Sequence, residues 1–335
     1  MREAEHILMR PTRRAFLGGV AGGAVALRAG LSSAAPLPGI EILCAPTGAS
    51  ITLARAFDSG ALSAAAPDAS FRVWRDNDEL RAGIVSGKTR LFSTPTHVPA
   101  NLANRGMPIK LLCLLGEGHL YIVTADEKIS SFADLAGKPI LGFFRNDMPD
   151  LVFRACARME GLDPDKDFQL TYVESGMAAA QMLAAGRATT AILSEPPSTA
   201  AIMMAGQQGR TLRRAISLQE VYGRHRETKG IPMVGVAVHA SLVEESPQLL
   251  AALREALPAA KAWALANRAE AAALAEKRLQ MRAPVFEKAM DYMNIDVRSA
   301  RDAKAEIASF YQTLIDAAPD ALAGKLPGDD FYLGL

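Results

Sequence analysis

The chain has 335 residues, 50% hydrophobic and 22% charged, a composition of soluble globular proteins and a length that allows more than one core. Its formal net charge is +1, and the first 35 residues carry five arginines against two glutamates, which leaves the remainder near −2. That balance excludes a basic surface for nucleic acid or for an anionic membrane.

Residues 1–35 differ from the rest. Arg2, Arg10, Arg13 and Arg14 make a basic start, Ala15 to Leu31 is apolar and glycine-rich, and Ser33-Ala34-Ala35 offers small residues to a peptidase. This order reads as an export signal rather than a membrane span or a retained basic tail. Adjacent arginines followed by Phe16-Leu17 point to the twin-arginine route, which delivers a folded chain to the periplasm. No later apolar run is long enough to cross a bilayer, so the mature chain is expected without stable membrane insertion. Cys44, Cys113 and Cys156 each sit in an apolar run; buried free thiols, or one disulfide and one free thiol, fit three cysteines.

In chain order, Ile40 to Cys44 predicts a first strand, and Ala45 to Ser50 a polar turn into a helix from Ile51. Thr47, Gly48 and Ser50 in that turn either meet a ligand or cap the helix. Phe71 to Trp74 and Arg90 to Phe92 predict further strands, with a short helix at Leu80 to Val85 between them. Thr94, Thr96 and His97 follow the third strand as a polar cluster able to donate and accept hydrogen bonds. Ile109 to Leu115 predicts a strongly apolar strand, and these alternations suggest a largely parallel sheet.

A second α/β lobe begins with the strand Leu120 to Val123. Pro139 to Phe143 predicts the next strand, Leu151 to Met159 a helix, and Leu170 to Val173 a strand leading to Ser175 and an alanine-rich helix. Ala191 to Leu193 then delivers Ser194 and Glu195, a βαβ unit whose strand ends should carry ligand-facing groups. Met233 to Val238 predicts a strand returning to the first lobe, and two crossings between lobes make a hinge. The remainder reads as helical, with Pro258 bending or splitting the helix from Pro247. The aromatic tail 321–335 is expected to dock on the body. Lobe 1 thus comprises 36–118 and 231–320, and lobe 2 comprises 119–230.

No GxSxG, GxGxxG, P-loop, HExxH or CxxC motif occurs, and the histidines are scattered. These absences favour binding over covalent chemistry, with no cofactor or metal implied.

Several segments resemble the periplasmic substrate-binding proteins of ABC importers, in the nitrate, sulfonate, taurine and thiamine-precursor group. The residues that carry this are Glu79-Leu80-Arg81-Ala82-Gly83 with Ser86-Gly87-Lys88, Phe132 to Ile140, Gly161 to Asp167, and Leu183 to Arg187 followed by Glu195-Pro196. The resemblance spans about 38–320 and implies a type II binding-protein fold with the ligand between two lobes. It also implies delivery to a permease and ATPase complex, and a monomer is expected. It places first-lobe contacts at Thr47 to Ser50 and Thr94 to His97. Second-lobe contacts would come from 144–150, Ser175-Gly176 and the loop at Glu195.

Two departures stand out: Thr189 where the family often has aspartate, and Arg145-Asn146-Asp147-Met148-Pro149 in place of a glycine/serine-rich anion cradle. A small organic ligand with a polar or anionic group, such as a sulfonate, carboxylate or pyrimidine, is therefore expected rather than nitrate. Arg145 either grips an anion or pairs with Asp147 or Asp150. Phe144 and Met148 either wall the ligand or pack beside the sheet, and Glu195 either accepts from a ligand amine or caps the next helix. Alternatives in other classes are a ligand sensor that presents occupancy to a membrane receptor, and an exported enzyme on the same fold.

Overall fold

The computed structural model describes residues 39–334, so the expected export signal lies outside the described residues. In chain order the first elements are β1 (Glu41–Cys44), α1 (Ile51–Asp58), β2 (Ser70–Val73), α2 (Asn77–Val85), β3 (Leu91–Pro95), α3 (His97–Asn104) and β4 (Ile109–Gly116). Next come β5 (Leu120–Thr124), β6 (Pro139–Phe143), α4 (Met148–Met159), β7 (Gln169–Val173), α5 (Gly176–Ala184), β8 (Thr190–Ser194), α6 (Pro197–Gln207), β9 (Arg213–Ser217) and α7 (Leu218–Arg226). The chain continues through β10 (Val234–His239), α8 (Ser241–Glu245), α9 (Pro247–Ala266), α10 (Arg268–Leu279), α11 (Ala283–Ala289), β11 (Ile295–Ser299) and α12 (Lys304–Ala317).

The strands form two sheets. One has six strands in the order β11-β4-β10-β3-β1-β2, and the other five in the order β7-β6-β8-β5-β9. Neither is wholly parallel. β10 runs antiparallel to both β3 and β4, β11 runs antiparallel to β4, and β5 runs antiparallel to β8 and β9. The first sheet is thus mixed rather than largely parallel, because the chain re-enters it after visiting the second. Position in the sheet explains the strand sequences. β4 is interior, buried on both faces apart from Lys110, and reads as an apolar run, whereas the edge strands β2, β7 and β9 carry partly exposed polar residues.

The helices begin where the sequence supplies caps. Asp76 accepts the Glu79 N–H at 2.8 Å while the Glu79 carboxylate accepts the Arg75 N–H at 2.7 Å, a reciprocal cap that sets Asn77 on the first turn of α2. Ser175 caps α5 through the Ala178 N–H at 3.1 Å. The same helix stops before Gly186, whose φ of +76° suits a residue without Cβ.

Three elements differ from the sequence reading. α9 runs through Pro258 as one helix rather than splitting there. Pro258 is exposed, so the Arg254 carbonyl it leaves unpaired faces water, while Leu253, Leu257 and Ala260 hold the buried face. β9 and β11 were not anticipated: each is short and its exposed face is charged, and β11 interrupts a region otherwise helical. At the C-terminus Phe331 and Tyr332 are buried, and Tyr332 bridges to Leu111 of β4.

Two passages join the sheets, 117–119 and 227–233. They touch: a Cβ on Gly118 would lie 2.9 Å from the Gln219 Cβ and 3.1 Å from that of Ile231. The Gln219 side chain also accepts the Leu120 N–H at 3.1 Å.

Candidate ligand-binding site

A cleft of about 780 Å³ opens at the carboxyl ends of β1, β2, β3, β6 and β8, with the turn after β7 adding Ser175. Its size suits an organic molecule rather than a small ion. Cys44 and Ser93 tie the base of the first-sheet wall, because the Ala45 N–H and the Ser50 hydroxyl are both engaged there and hold the turn that carries Thr47. Trp74 follows β2, buried with its indole N–H on the Ser93 carbonyl at 3.1 Å. From the second sheet come Phe143, Phe144, Met148 and Pro149, then Ser175 and Gly176, then Pro196 and Pro197. Gln280, Met281 and Val285 close a third side.

Six of the lining residues are methionine: Met148, Met177, Met203, Met204, Met233 and Met281. Unbranched and polarisable, they make a wall that adapts to an apolar body. Phe144 sits at φ +52° and Asn146 at φ +60°, left-handed conformations costly for non-glycine residues. This kinked tip brings Phe144 onto the cleft wall and Asp147 to the start of α4.

The polar groups on the wall are few. His119 is buried; its Nδ1 lies 3.4 Å from the Glu117 carbonyl and its Nε2 lies 3.3 Å from the Thr47 hydroxyl. A carbonyl only accepts, so Nδ1 carries the proton and Nε2 accepts from Thr47. Burial pushes the His119 pKa down to about 4, against a small opposing effect of the Glu117 carbonyl. The imidazole is therefore neutral at physiological pH, and the Thr47 oxygen keeps its lone pairs for a donor in the cleft.

Asp147 bridges the two sheets. Its carboxylate accepts Asn77 Nδ2 of α2 at 2.6 Å and the Met148 N–H at 2.7 Å, and lies 3.2 Å from Nε2 of His97 of α3. Burial alone raises its pKa, but the hydrogen bond and charge of His97, the Met148 N–H and Arg81 outweigh this and hold it below the ordinary value.

The residues singled out from sequence fall into two groups. Thr47, Phe144, Met148 and Ser175 line the cleft. Gly48, Ser50, Thr94 and Thr96 are buried behind the wall: Met293 sulfur fills the space beside Gly48, and Thr96 donates to the Pro232 carbonyl at 2.7 Å. His97 is likewise buried and turned to Asp147. Arg145 and Asn146 are exposed. Among the described residues Arg145 makes no ion pair and lies over the Tyr172 ring at 5.6 Å, while Asp150 is engaged by Arg154 and Tyr172.

Glu195 is 1% exposed and lies off the wall, where it caps α6. Its carboxylate accepts the Thr199 N–H at 3.2 Å and Arg214 Nε at 2.7 Å, and Arg214 in turn stacks on Tyr292 at 3.6 Å. Burial raises the Glu195 pKa, only partly offset by Arg214 and Thr199.

Sequence reasoning passed over Trp74, Asn77, His119 and the 280–285 wall. For Trp74 and Asn77 a signal existed, since both stand at the carboxyl end of a predicted strand. For 280–285 none did, because that wall is built by tertiary packing of α11 against α6.

The sequence profile of the NMT1-like family matches residues 93–279, more than half of the chain. No curated protein matches the chain in sequence. Among solved structures, an ABC transporter protein from Parabacteroides distasonis superposes with a TM-score of 0.71 at 22% identity, covering 87% of this chain and 97% of that one. The periplasmic aliphatic sulphonate binding protein SsuA of Escherichia coli gives 0.66 at 16% identity, covering 88% and 99%. The periplasmic nitrate-binding protein NrtA of Synechocystis gives 0.62 at 15% identity, covering 85% and 84%. At these identities the likeness establishes a shared two-sheet fold.

Proposed function

The chain belongs to the NMT1-like family, and on that premise we propose that it is a periplasmic solute-binding protein. It holds one small organic molecule in the cleft between the two sheets and hands it to the permease and ATPase of an ABC importer. The observation that carries this reading is the cleft itself: about 780 Å³, methionine-rich, and open between two sheets joined by two short passages. Structurally similar proteins described as sulphonate-binding, nitrate-binding and ABC-transporter components support the same role. The basic, apolar and small-residue order of 1–35 supports export to the periplasm by the twin-arginine route.

Binding rather than catalysis suits the polar groups on the wall. Thr47 and His119 form a hydroxyl–imidazole pair, the arrangement a nucleophile and base would need. Yet His119 is a weak base with its pKa near 4, and it is oriented by a carbonyl rather than a carboxylate. The pair presents a hydrogen-bond acceptor to the cleft. Within it, Thr47, Ser175, Phe144 and Met148 are the proposed contacts.

The test is native mass spectrometry of the protein purified from its exported compartment without refolding. The reading expects a retained small organic molecule at one per chain. A mass equal to the bare chain, together with no thermal stabilisation by any compound of a broad metabolite set, would overturn it.

A further inference from the structure

This inference rests on the solute-binding reading and concerns the charge of the solute. A helix N-terminus aimed at a cleft is a ready seat for an oxoanion, because its first N–H groups lack partners. Three helices of the second sheet start at this cleft: at α5 Ser175 caps the Ala178 N–H, and at α4 and α6 the chain's own carboxylates take up N–H groups of the first turn. At α4, Asp147 takes the Met148 N–H through its side chain and the Leu151 N–H through its carbonyl. Pro149 has no N–H, and the Asn146 N–H goes to the Asp150 carboxylate at 2.8 Å. At α6, Pro196 and Pro197 supply no N–H, and Glu195 holds the Thr199 N–H and hydroxyl. These carboxylates are not free to bind a cation either. Asp147 is spent on Asn77, His97 and Met148, Asp150 on Arg154 and Tyr172, and Glu195 on Arg214.

The charged side chains left on the wall are Arg75 and Arg282, both exposed at the mouth, with Arg75 shared with Glu79 at 3.4 Å. Among the described residues the inner wall thus offers no unspent charged side chain of either sign.

We propose that Asp147 determines the specificity of the cleft: it stands in the place of an oxoanion at the start of α4, repels nitrate and sulfonate groups, and leaves the cleft to an uncharged organic molecule with an apolar body. A second negative charge beside this buried carboxylate would have to be neutralised before it could stay.

The experiment is isothermal titration of the mature protein with sodium nitrate and with butanesulfonate, for the wild type, Asp147→Ser and Asp147→Asn. Serine keeps a helix cap and removes the charge. The wild type is expected to show no saturable binding of either probe at about 1 mM, and Asp147→Ser to bind butanesulfonate at least about tenfold more tightly. Micromolar binding of either probe by the wild type would overturn the proposal, as would a natively folded Asp147→Ser no better than wild type. Should the serine variant fail to fold, Asp147→Asn is held to the same criterion, and the wild-type titration decides alone if both fail. The retained solute separates the two readings. An uncharged molecule supports both, a sulfonate or carboxylate leaves solute binding intact and removes this inference, and a bare chain that binds nothing counts against solute binding.

Discussion

His119 offers a quantitative test of how the cleft is built. Its side chain is 3% exposed, and the pKa falls from an ordinary 6.5 to about 4 through burial. In the unfolded chain the imidazole takes up a proton near pH 6.5; in the folded chain it does so only near pH 4. The unfolded state therefore binds more protons between these values, and stability is lost as pH falls through that window. The shift of roughly 2.5 pH units corresponds to about 3 kcal/mol, fully present above pH 6.5 and absent below pH 4. His119→Gln keeps an amide that can serve both Glu117 and Thr47 but removes the titration. Urea unfolding at a series of pH values for both proteins isolates the effect, since His97, His225, His239 and the carboxylates are common to the two. The expected difference curve is flat above pH 6.5 and changes by about 3 kcal/mol in favour of the variant by pH 4. A flat difference across the whole range would refute the buried, neutral imidazole and the hydrogen-bond polarity assigned to Thr47.

Three further outcomes follow from the same geometry. Glu195→Ala strands the Arg214 guanidinium and uncaps α6, so a loss of about 3–5 kcal/mol is expected in urea unfolding, and a loss under about 1 kcal/mol contradicts the buried pair. Gly235→Ala places a Cβ 2.6 Å from the Cys113 carbonyl oxygen between β10 and β4, where backbone must shift. A cost of about 2 kcal/mol is expected there, read as a lower thermal midpoint, and an unchanged midpoint contradicts it. Arg145→Ala alters an exposed side chain off the cleft wall, so affinity for the native solute should stay within about twofold by calorimetry. A tenfold loss would bring Arg145 into the site.

Much of the fold is legible because strand burial leaves a direct mark on sequence. β4 and β8 are apolar runs between turn residues, and the ends of β1 and β7 carry polar tips, Thr47 and Ser175, that line the cleft. β9 and β11 escape because an edge or short strand exposes one face, so Arg-Arg-Ala-Ile-Ser and Ile-Asp-Val-Arg-Ser read as polar connections. The site is less legible than the fold for a related reason. Glu195 sits at a strand tip, but its partner Arg214 comes from the unrecognised β9, and that pairing turns the carboxylate away from the cleft. Likewise His97 opens α3 and Asp147 caps α4, 50 positions apart and beside different sheets, so neither sequence neighbourhood reveals that each engages the other. Arg145 stands beside the cleft in sequence, yet the left-handed turn at Phe144 and Asn146 leaves it on the outside.

The most direct measurement is a crystal structure of the protein purified without refolding, together with any molecule that it retains. The account predicts that molecule between the two sheets, its body against Met148 and Phe144 and a hydrogen-bond donor on the Thr47 hydroxyl, with Asp147 still joined to Asn77 and His97. A molecule bound outside the cleft, or a nitrate or sulfonate group seated at the start of α4 with Asp147 displaced, would contradict it.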